Sequence, residues 1–98
     1  MIEQNEKIPL FAWKCNLLKK AIEKYGTEAQ IFQCVEELNE LATELMHHRR
    51  DKTTVDEICS EIADVEIMIL QMRLIFGDEL VDKYMDIKLK RLEKRLND

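Results

Sequence analysis

Apolar residues recur along most of the chain at intervals of three and four residues, which is the spacing of one face of a helix. The pattern predicts four helices, at about residues 9–25, 28–50, 54–76 and 78–96, after a loose polar segment of seven residues. The connections between the helices are short. Because short connections place consecutive helices side by side in opposite directions, we predict an all-α, antiparallel four-helix bundle.

Residues with known preferences for helix ends support these boundaries. Pro9 suits the first turn of the first helix, and Gly26 and Gly77 are placed to end the first and third helices. Segments 27–30 (TEAQ) and 54–57 (TVDE) have the spacing of a capping box, in which a hydroxyl and a carboxylate or amide bond the first free amides of a helix. Each box is therefore expected to begin a helix.

The third helix is apolar on nearly every side. One stripe at helical spacing contains Ile58, Ile62, Val65, Ile69, Met72 and Phe76. A second stripe, roughly opposite, contains Ala63, Ile67, Leu70 and Leu74. A helix without a polar face is normally buried, yet Glu61 and Asp64 project between the stripes. Since carboxylates are rarely buried without a partner, we expect a proton, a salt bridge or a cation to accompany them.

The second and fourth helices each have one apolar face that is expected to point into the bundle. On the second helix this face is Ile31, Cys34, Val35, Leu38, Leu41, Ala42 and Leu45. On the fourth helix it is Val81, Tyr84 or Met85, Leu89, Leu92 and Leu96. The opposite faces are charged, which is the arrangement of amphipathic helices around a core.

The composition is that of one small helical domain spanning residues 1–98. Hydrophobic residues make up 46% of the chain, and only two Gly and one Pro are present. The net charge of −5 argues against a nucleic-acid-binding surface, and no apolar run is long enough to span a membrane. Cys15, Cys34 and Cys59 show no CxxC spacing, which favours reduced thiols in a cytoplasmic protein.

Four carboxylates form two pairs on neighbouring predicted helices. Glu37 and Glu40 are three residues apart on the second helix, as are Glu61 and Asp64 on the third. The pairs lie about 13 and about 10 residues from the intervening loop, so at about 1.5 Å per residue they reach similar heights. Four anionic groups this close would repel unless a cation lay between them, and oxygen ligands favour Mg²⁺ or Mn²⁺. The alternative is that the Glu-rich face of the second helix is simply solvated.

These residues carry a resemblance to a known family. EELNE at 36–40, EIAD at 61–64 and the run ADVEIMILQM resemble the EExxE…ExxD signature of the MazG-like all-α nucleoside triphosphate pyrophosphohydrolases. The resemblance extends over about residues 33–76. It implies an Mg²⁺-dependent enzyme that hydrolyses the α–β phosphoanhydride of a nucleoside triphosphate, and that forms homodimers or homotetramers.

The resemblance also implies roles for individual residues. Glu37, Glu40, Glu61 and Asp64 would be the metal ligands, and Glu36 would be a catalytic acid that orients water or a ligand. The family has a basic Lys/Asn/Arg pattern after its ExxD motif, and the corresponding segment here is IKLKRLEKR, with Leu92 in the position of the Asn. Lys88, Arg91 and Arg95 of this segment are candidates for binding the substrate phosphates. Taken singly, each is also explained as part of a solvated basic face.

Two alternatives compete with this interpretation. The first is a non-catalytic helical interaction module that keeps the fold, with or without a structural metal. The second is a di-iron bundle, because Glu44 and His47 spell ExxH, but such proteins need a second ExxH and two further glutamates. Under any of these functions, the two stripes of the third helix exceed what one small bundle can cover. We therefore expect an obligate homo-oligomer with its active site beside or across the interface.

Overall fold

The computed structural model describes residues 10–98 and contains four α-helices. They are α1 (Leu10–Tyr25), α2 (Thr27–Arg49), α3 (Val55–Phe76) and α4 (Asp78–Leu96). Strands are absent from this part of the chain, which confirms the all-α prediction. The predictions for Pro9 and the first seven residues lie outside the described residues. No helix within residues 10–98 combines the length and the apolarity that crossing a membrane requires.

Two glycines end helices by adopting backbone angles that other residues rarely reach. Gly26 has φ of 96° and Gly77 has φ of 136°. The amide of Gly26 donates to the carbonyl oxygen of Ile22 at 2.8 Å, and that of Gly77 to the carbonyl oxygen of Arg73 at 2.9 Å. These bonds satisfy carbonyls at the end of each helix, so the predicted role of both glycines is confirmed.

One of the two predicted capping boxes is present. The amide of Glu57 donates to Oγ1 of Thr54, and the amide of Thr54 donates to Oε1 of Glu57, both at 3.1 Å. The box at Thr27 was predicted wrongly, because Gly26 occupies the cap position and makes no side-chain bond there. Helix α1 ends and α2 begins at this one glycine, so Thr27 already lies inside α2.

Three of the helices pack together, and the fourth extends from them. Helices α2 and α3 form an antiparallel hairpin, and α1 lies chiefly against α3. Among the described residues, α4 contacts α3 alone, so the predicted fourth member does not close the bundle. The radius of gyration is 16.6 Å, whereas a compact chain of this length has about 13 Å.

Few side chains of the single subunit are buried. The buried apolar residues are Leu18, Cys34 and Met68, and the buried polar residues are Gln30 and Gln71. The predicted inward face of α4 is exposed, with Leu96 at 76%, and only Val81 of that set is half-buried. That prediction was wrong because, within residues 10–98, no helix lies against this face of α4. Cys15, Cys34 and Cys59 are free thiols.

Helix α2 meets α3 through a set of residues that overlaps only in part with its predicted apolar face. A row of buried or half-buried side chains at helical spacing contains Gln30, Cys34, Glu37, Leu41 and Glu44. Val35, Leu38 and Leu45, which were predicted to face inward, are exposed. Cys34 and Leu41 of the predicted face belong to this row, whereas the exposed part of that face lies roughly 100° around the helix from it. The contact between α2 and α3, called the seam below, therefore contains carboxylates.

Candidate metal centre

Three carboxylates from the two helices meet in the middle of the seam. Glu37 of α2 and Glu61 and Asp64 of α3 each place one carboxylate oxygen within 4.8 Å of the others. Glu37 and Glu61 are half-buried, and Asp64 is exposed. The helical row on α2 and the three-residue spacing on α3 produce this meeting, as the matched heights of the two pairs predict. This group of three is called the acidic triad below.

Glu40, the fourth predicted ligand, lies beside the acidic triad. Its side chain is exposed and lines a cavity of about 310 Å³ whose other lining residues are Asn39, Thr43, Glu44 and Glu61. Glu61 is therefore shared between the triad and this cavity. A change of the Glu40 rotamer is enough to alter the distance between its carboxylate and the triad, because an exposed side chain is free to rotate.

The charges around Glu61 are all of one sign. Burial raises the pKa of the Glu61 carboxyl above its ordinary value, and the carboxylates of Glu40, Asp64, Glu37 and Glu44 raise it further. Within residues 11–98, no ion pair reaches Glu37, Glu40, Glu61 or Asp64. A salt bridge, one of the three partners that the sequence leaves open, is thus not what accompanies these acids in the subunit. A proton or a cation therefore remains as the partner of these carboxylates.

Two oxygens of the acidic triad have no hydrogen-bond partner among the described residues. Oε1 of Glu37 and Oε1 of Glu61 are both buried and unsatisfied. The other oxygen of Glu37 accepts a bond of 2.8 Å from Nε2 of Gln33. Buried acceptors are normally satisfied, and a cation between the three carboxylates would satisfy both atoms at once. Carboxylate oxygens suit Mg²⁺ or Mn²⁺, and opposite ligands of Mg²⁺ lie about 4.2 Å apart, so the triad fits such an ion with small side-chain movements.

Glu44 belongs to this region although the sequence pattern did not single it out as part of the same site. Its Oε1 accepts a bond of 2.5 Å from the Thr53 hydroxyl and lies 4.0 Å from Nδ1 of His47. Glu44 follows Glu37 by two helical turns, which is the signal that places both on one face of α2. His47 is not part of the acidic triad, so the ExxH spacing does not bring a histidine to it.

The remaining predicted site residues lie apart from the acidic triad. Glu36 is exposed and is outside both the triad and the adjacent cavity. Lys88, Arg91 and Arg95 are exposed on α4, which makes no contact with α2 within the described part of the chain. The subunit alone therefore does not bring these basic side chains to the carboxylates.

Comparison with known proteins does not identify a relative of this chain. No protein-family model, curated protein or solved structure matches the chain. The resemblance to the MazG-like family accordingly rests on the residue pattern alone.

Proposed function

We propose that the protein is an Mg²⁺-dependent nucleoside triphosphate pyrophosphohydrolase, which converts a nucleoside triphosphate (NTP or dNTP) to the monophosphate and pyrophosphate. The observation that supports this proposal is the acidic triad, in which two buried carboxylate oxygens have neither a hydrogen-bond donor nor a cationic side chain as partner within residues 10–98. Without a partner, the ionised carboxylates of this group repel one another and destabilise the folded protein. A divalent cation with a phosphate substrate relieves that repulsion.

In this proposal Glu37, Glu61 and Asp64 hold the cation, and Glu40 joins them by rotating its exposed side chain. When bound, the ion supplies neutralisation of phosphate charge and a coordinated water of lowered pKa. Mn²⁺ has the same ligand preference and is an alternative occupant.

The chain's own acids complete the proposed reaction. Glu36 orients the attacking water or a ligand, and a carboxylate near the triad accepts the proton of that water. The water oxygen bonds to the α-phosphorus, the bond from this phosphorus to the bridging oxygen breaks, and pyrophosphate leaves. Lys88, Arg91 and Arg95 are proposed to bind the phosphates, since positive side chains stabilise the charge that develops on them.

A second copy of the chain is part of the proposal, as a homodimer or homotetramer. On both α2 and α3, the exposed apolar residues follow the seam residues by one position, as Leu38 follows Glu37 and Ile62 follows Glu61. The exposed apolar stripe is therefore rotated from the seam in the same direction about each helix axis. Because the two helices are antiparallel, both stripes open to one side of the hairpin. This apolar face consists of Val35, Leu38, Leu45, Val55, Ile62, Ile69 and Phe76, all exposed in the subunit. Covering it with a partner gains roughly 25 cal/mol per Å² of apolar area.

A partner subunit would also bring basic side chains to the carboxylates, which α4 does not reach within its own subunit. Since α4 extends from its own bundle, its basic segment is free to approach the carboxylates of another subunit. The cavity beside the triad is about 310 Å³ and open, so a partner's helix is also what would enclose a nucleotide. We propose that Lys88, Arg91 and Arg95 act across the interface.

A pyrophosphate-release assay tests the activity. Each of the common NTPs and dNTPs is incubated with the protein and Mg²⁺, and product is measured for wild type, Glu61→Gln and Glu66→Gln. Glu66 is exposed on the same helix and outside the triad, so its substitution is a matched control for the loss of one charge. We expect activity in wild type and Glu66→Gln only. Absence of pyrophosphate with every nucleotide would refute the enzymatic proposal.

One observation favours the second candidate, a non-catalytic interaction module. The exposed apolar surface of α2, α3 and α4 is large for a subunit of this size. The two candidates differ in outcome, because the module would assemble without releasing pyrophosphate, with or without a bound metal.

A further inference from the structure

Helix α4 is held to the bundle at one place, the elbow around Gly77. In the described part of the chain α4 contacts α3 and no other helix. From Asp82 onward every side chain of α4 is exposed. The direction of the whole helix is therefore set by the few contacts close to the elbow.

The guanidinium of Arg73 on α3 donates hydrogen bonds to the first two turns of α4. Nη1 of Arg73 donates to Oδ1 of Asp78 at 2.7 Å, to Oδ1 of Asp82 at 2.8 Å and to the carbonyl oxygen of Asp78 at 3.3 Å. Nη2 of the same side chain lies 3.1 Å from Sδ of Met85. The three residues of α4 are one turn apart, so they form a single row along the helix. This cluster is called the elbow clamp below.

The elbow clamp has features that separate it from an ordinary surface ion pair. The Arg73 side chain is 17% exposed, and the hydrogen bonds that it donates to Asp78 and Asp82 raise the pKa of its guanidinium. The pair between Lys90 and Asp86 is exposed and lies within α4, so it connects no two elements. Pairs held in a network with partial burial are worth more than isolated exposed pairs.

The backbone at the elbow does not by itself fix the angle between the helices. Gly77 has φ of 136°, a conformation open to glycine, and it lacks a Cβ that would restrict rotation. A Cβ built there would meet only Cβ of Leu80, at 3.5 Å. Gly77 can therefore act as a hinge between α3 and α4. The hydrogen bonds of Arg73 beside it can act as a lock that holds the hinge at one angle.

We propose that the elbow clamp is this lock, and that Arg73 with Asp78 and Asp82 determines the direction in which α4 leaves the bundle. The surface that α4 can reach with its exposed apolar residues is then controlled by three side chains. Loss of the clamp frees α4 to swing about Gly77 while the packing of α1, α2 and α3 stays intact. The inference concerns the hinge and holds whether or not the protein is an enzyme.

Distances between two spin labels on the full chain test the inference. Labels are attached to Arg49→Cys at the end of α2 and Lys94→Cys on α4, after Cys15→Ser and Cys59→Ser remove the accessible native thiols. Labelled protein is diluted in excess unlabelled protein, so that only distances within one subunit are measured. We expect one narrow distribution for the wild-type elbow, and a shifted and broader one for Arg73→Gln.

Two further variants decide the cause of any change. Asp82→Asn removes the negative charge of one partner of the clamp at a residue that is 65% exposed, so it tests the clamp even if Arg73→Gln does not fold. Asp86→Asn breaks the Lys90 pair within α4 and is the matched control. Broadening in Asp82→Asn with a narrow distribution in Asp86→Asn supports the lock. Unchanged distributions in folded Arg73→Gln and Asp82→Asn would overturn it.

Discussion

Glu37 on α2 and Glu61 on α3 face each other across the seam, and each carries a buried carboxylate oxygen that no donor in the described part of the chain reaches. Two such groups at close range destabilise each other when both are ionised. Buried apolar side chains on the same two helices, Cys34 of α2 and Met68 of α3, stabilise the fold against this repulsion. Because a bound cation would relieve this repulsion, we expect the metal-free and metal-bound proteins to differ in stability.

The first prediction concerns metal affinity. Glu61→Gln removes one negative ligand from the acidic triad, so we expect Mn²⁺ affinity to fall by more than about tenfold, the loss that even an indirect support residue causes. Calorimetry with Mn²⁺ on metal-free protein measures this. Glu66→Gln, with the same charge change outside the triad, is expected to keep wild-type affinity. Equal affinity in wild type and Glu61→Gln would place the ion elsewhere.

The second prediction concerns pH. Since the pKa of Glu61 is raised in the folded protein, the folded state holds this proton more tightly than the unfolded chain does. Its contribution to stability is present below about pH 4.3, the ordinary value for Glu, and is lost as pH rises through the raised pKa.

Urea unfolding of metal-free protein at several pH values measures this contribution. Between acidic and neutral pH, the free energy of unfolding of wild type should fall relative to that of Glu61→Gln, because the amide does not ionise. A difference between the two proteins that stays constant with pH would show that Glu61 does not titrate in this range.

The third prediction separates catalysis from folding. Asp64→Ala and Glu40→Ala should lower pyrophosphate release by about 10²-fold or more. In the metal-free state both variants should be at least as stable as wild type, because each removes a repelling charge. Thermal unfolding in a chelator checks this. A clear drop in Tm of the metal-free variants would mean that these carboxylates hold the fold together.

The fourth prediction compares the two threonines that the sequence marks as helix starts. Thr54→Ala removes a complete capping box and should cost about 1 kcal/mol of stability. Thr27→Ala should cost nothing, since Thr27 lies inside α2 and Gly26 occupies its cap position. Urea unfolding of both variants measures the difference. Similar losses for the two would contradict the capping geometry.

These results show which parts of the structure can be read from the sequence. The helix ends at Gly26, Thr54 and Gly77 were predicted because they depend on local backbone chemistry, which a few neighbouring residues determine. The meeting of Glu37 with Glu61 and Asp64 also followed from spacing, because a short turn makes the heights on adjacent helices calculable.

The orientation of the helices about their own axes was harder to predict. Apolarity suggested that Leu38 points into the bundle, whereas Glu37 lies in the seam and Leu38 is exposed. The pattern reports which side of a helix avoids water in the final assembly, and it does not say whether a neighbour in the same subunit covers that side. The placement of α4 failed for the same reason. Its apolar face is exposed, and no helix in the described part of the chain lies against it.

The last prediction is that a second copy covers the apolar face of α2 and α3. Ile69→Glu introduces a charge in the middle of this face, where the side chain is exposed in the subunit. The subunit should therefore still fold, but the oligomer should dissociate, since burying an unpaired charge at an interface is costly.

Sedimentation at micromolar concentration tests this against a control on another side of α2. Phe32 is exposed but lies off the apolar face, so Phe32→Glu should keep the assembly of wild type. We expect wild type and Phe32→Glu to sediment as dimers or larger species, and Ile69→Glu to approach the 11.7 kDa monomer. Pyrophosphate release should fall together with assembly, because the basic residues of α4 would then reach no partner. A wild type that is active as a stable monomer would exclude both the interface and the action of Lys88, Arg91 and Arg95 between subunits.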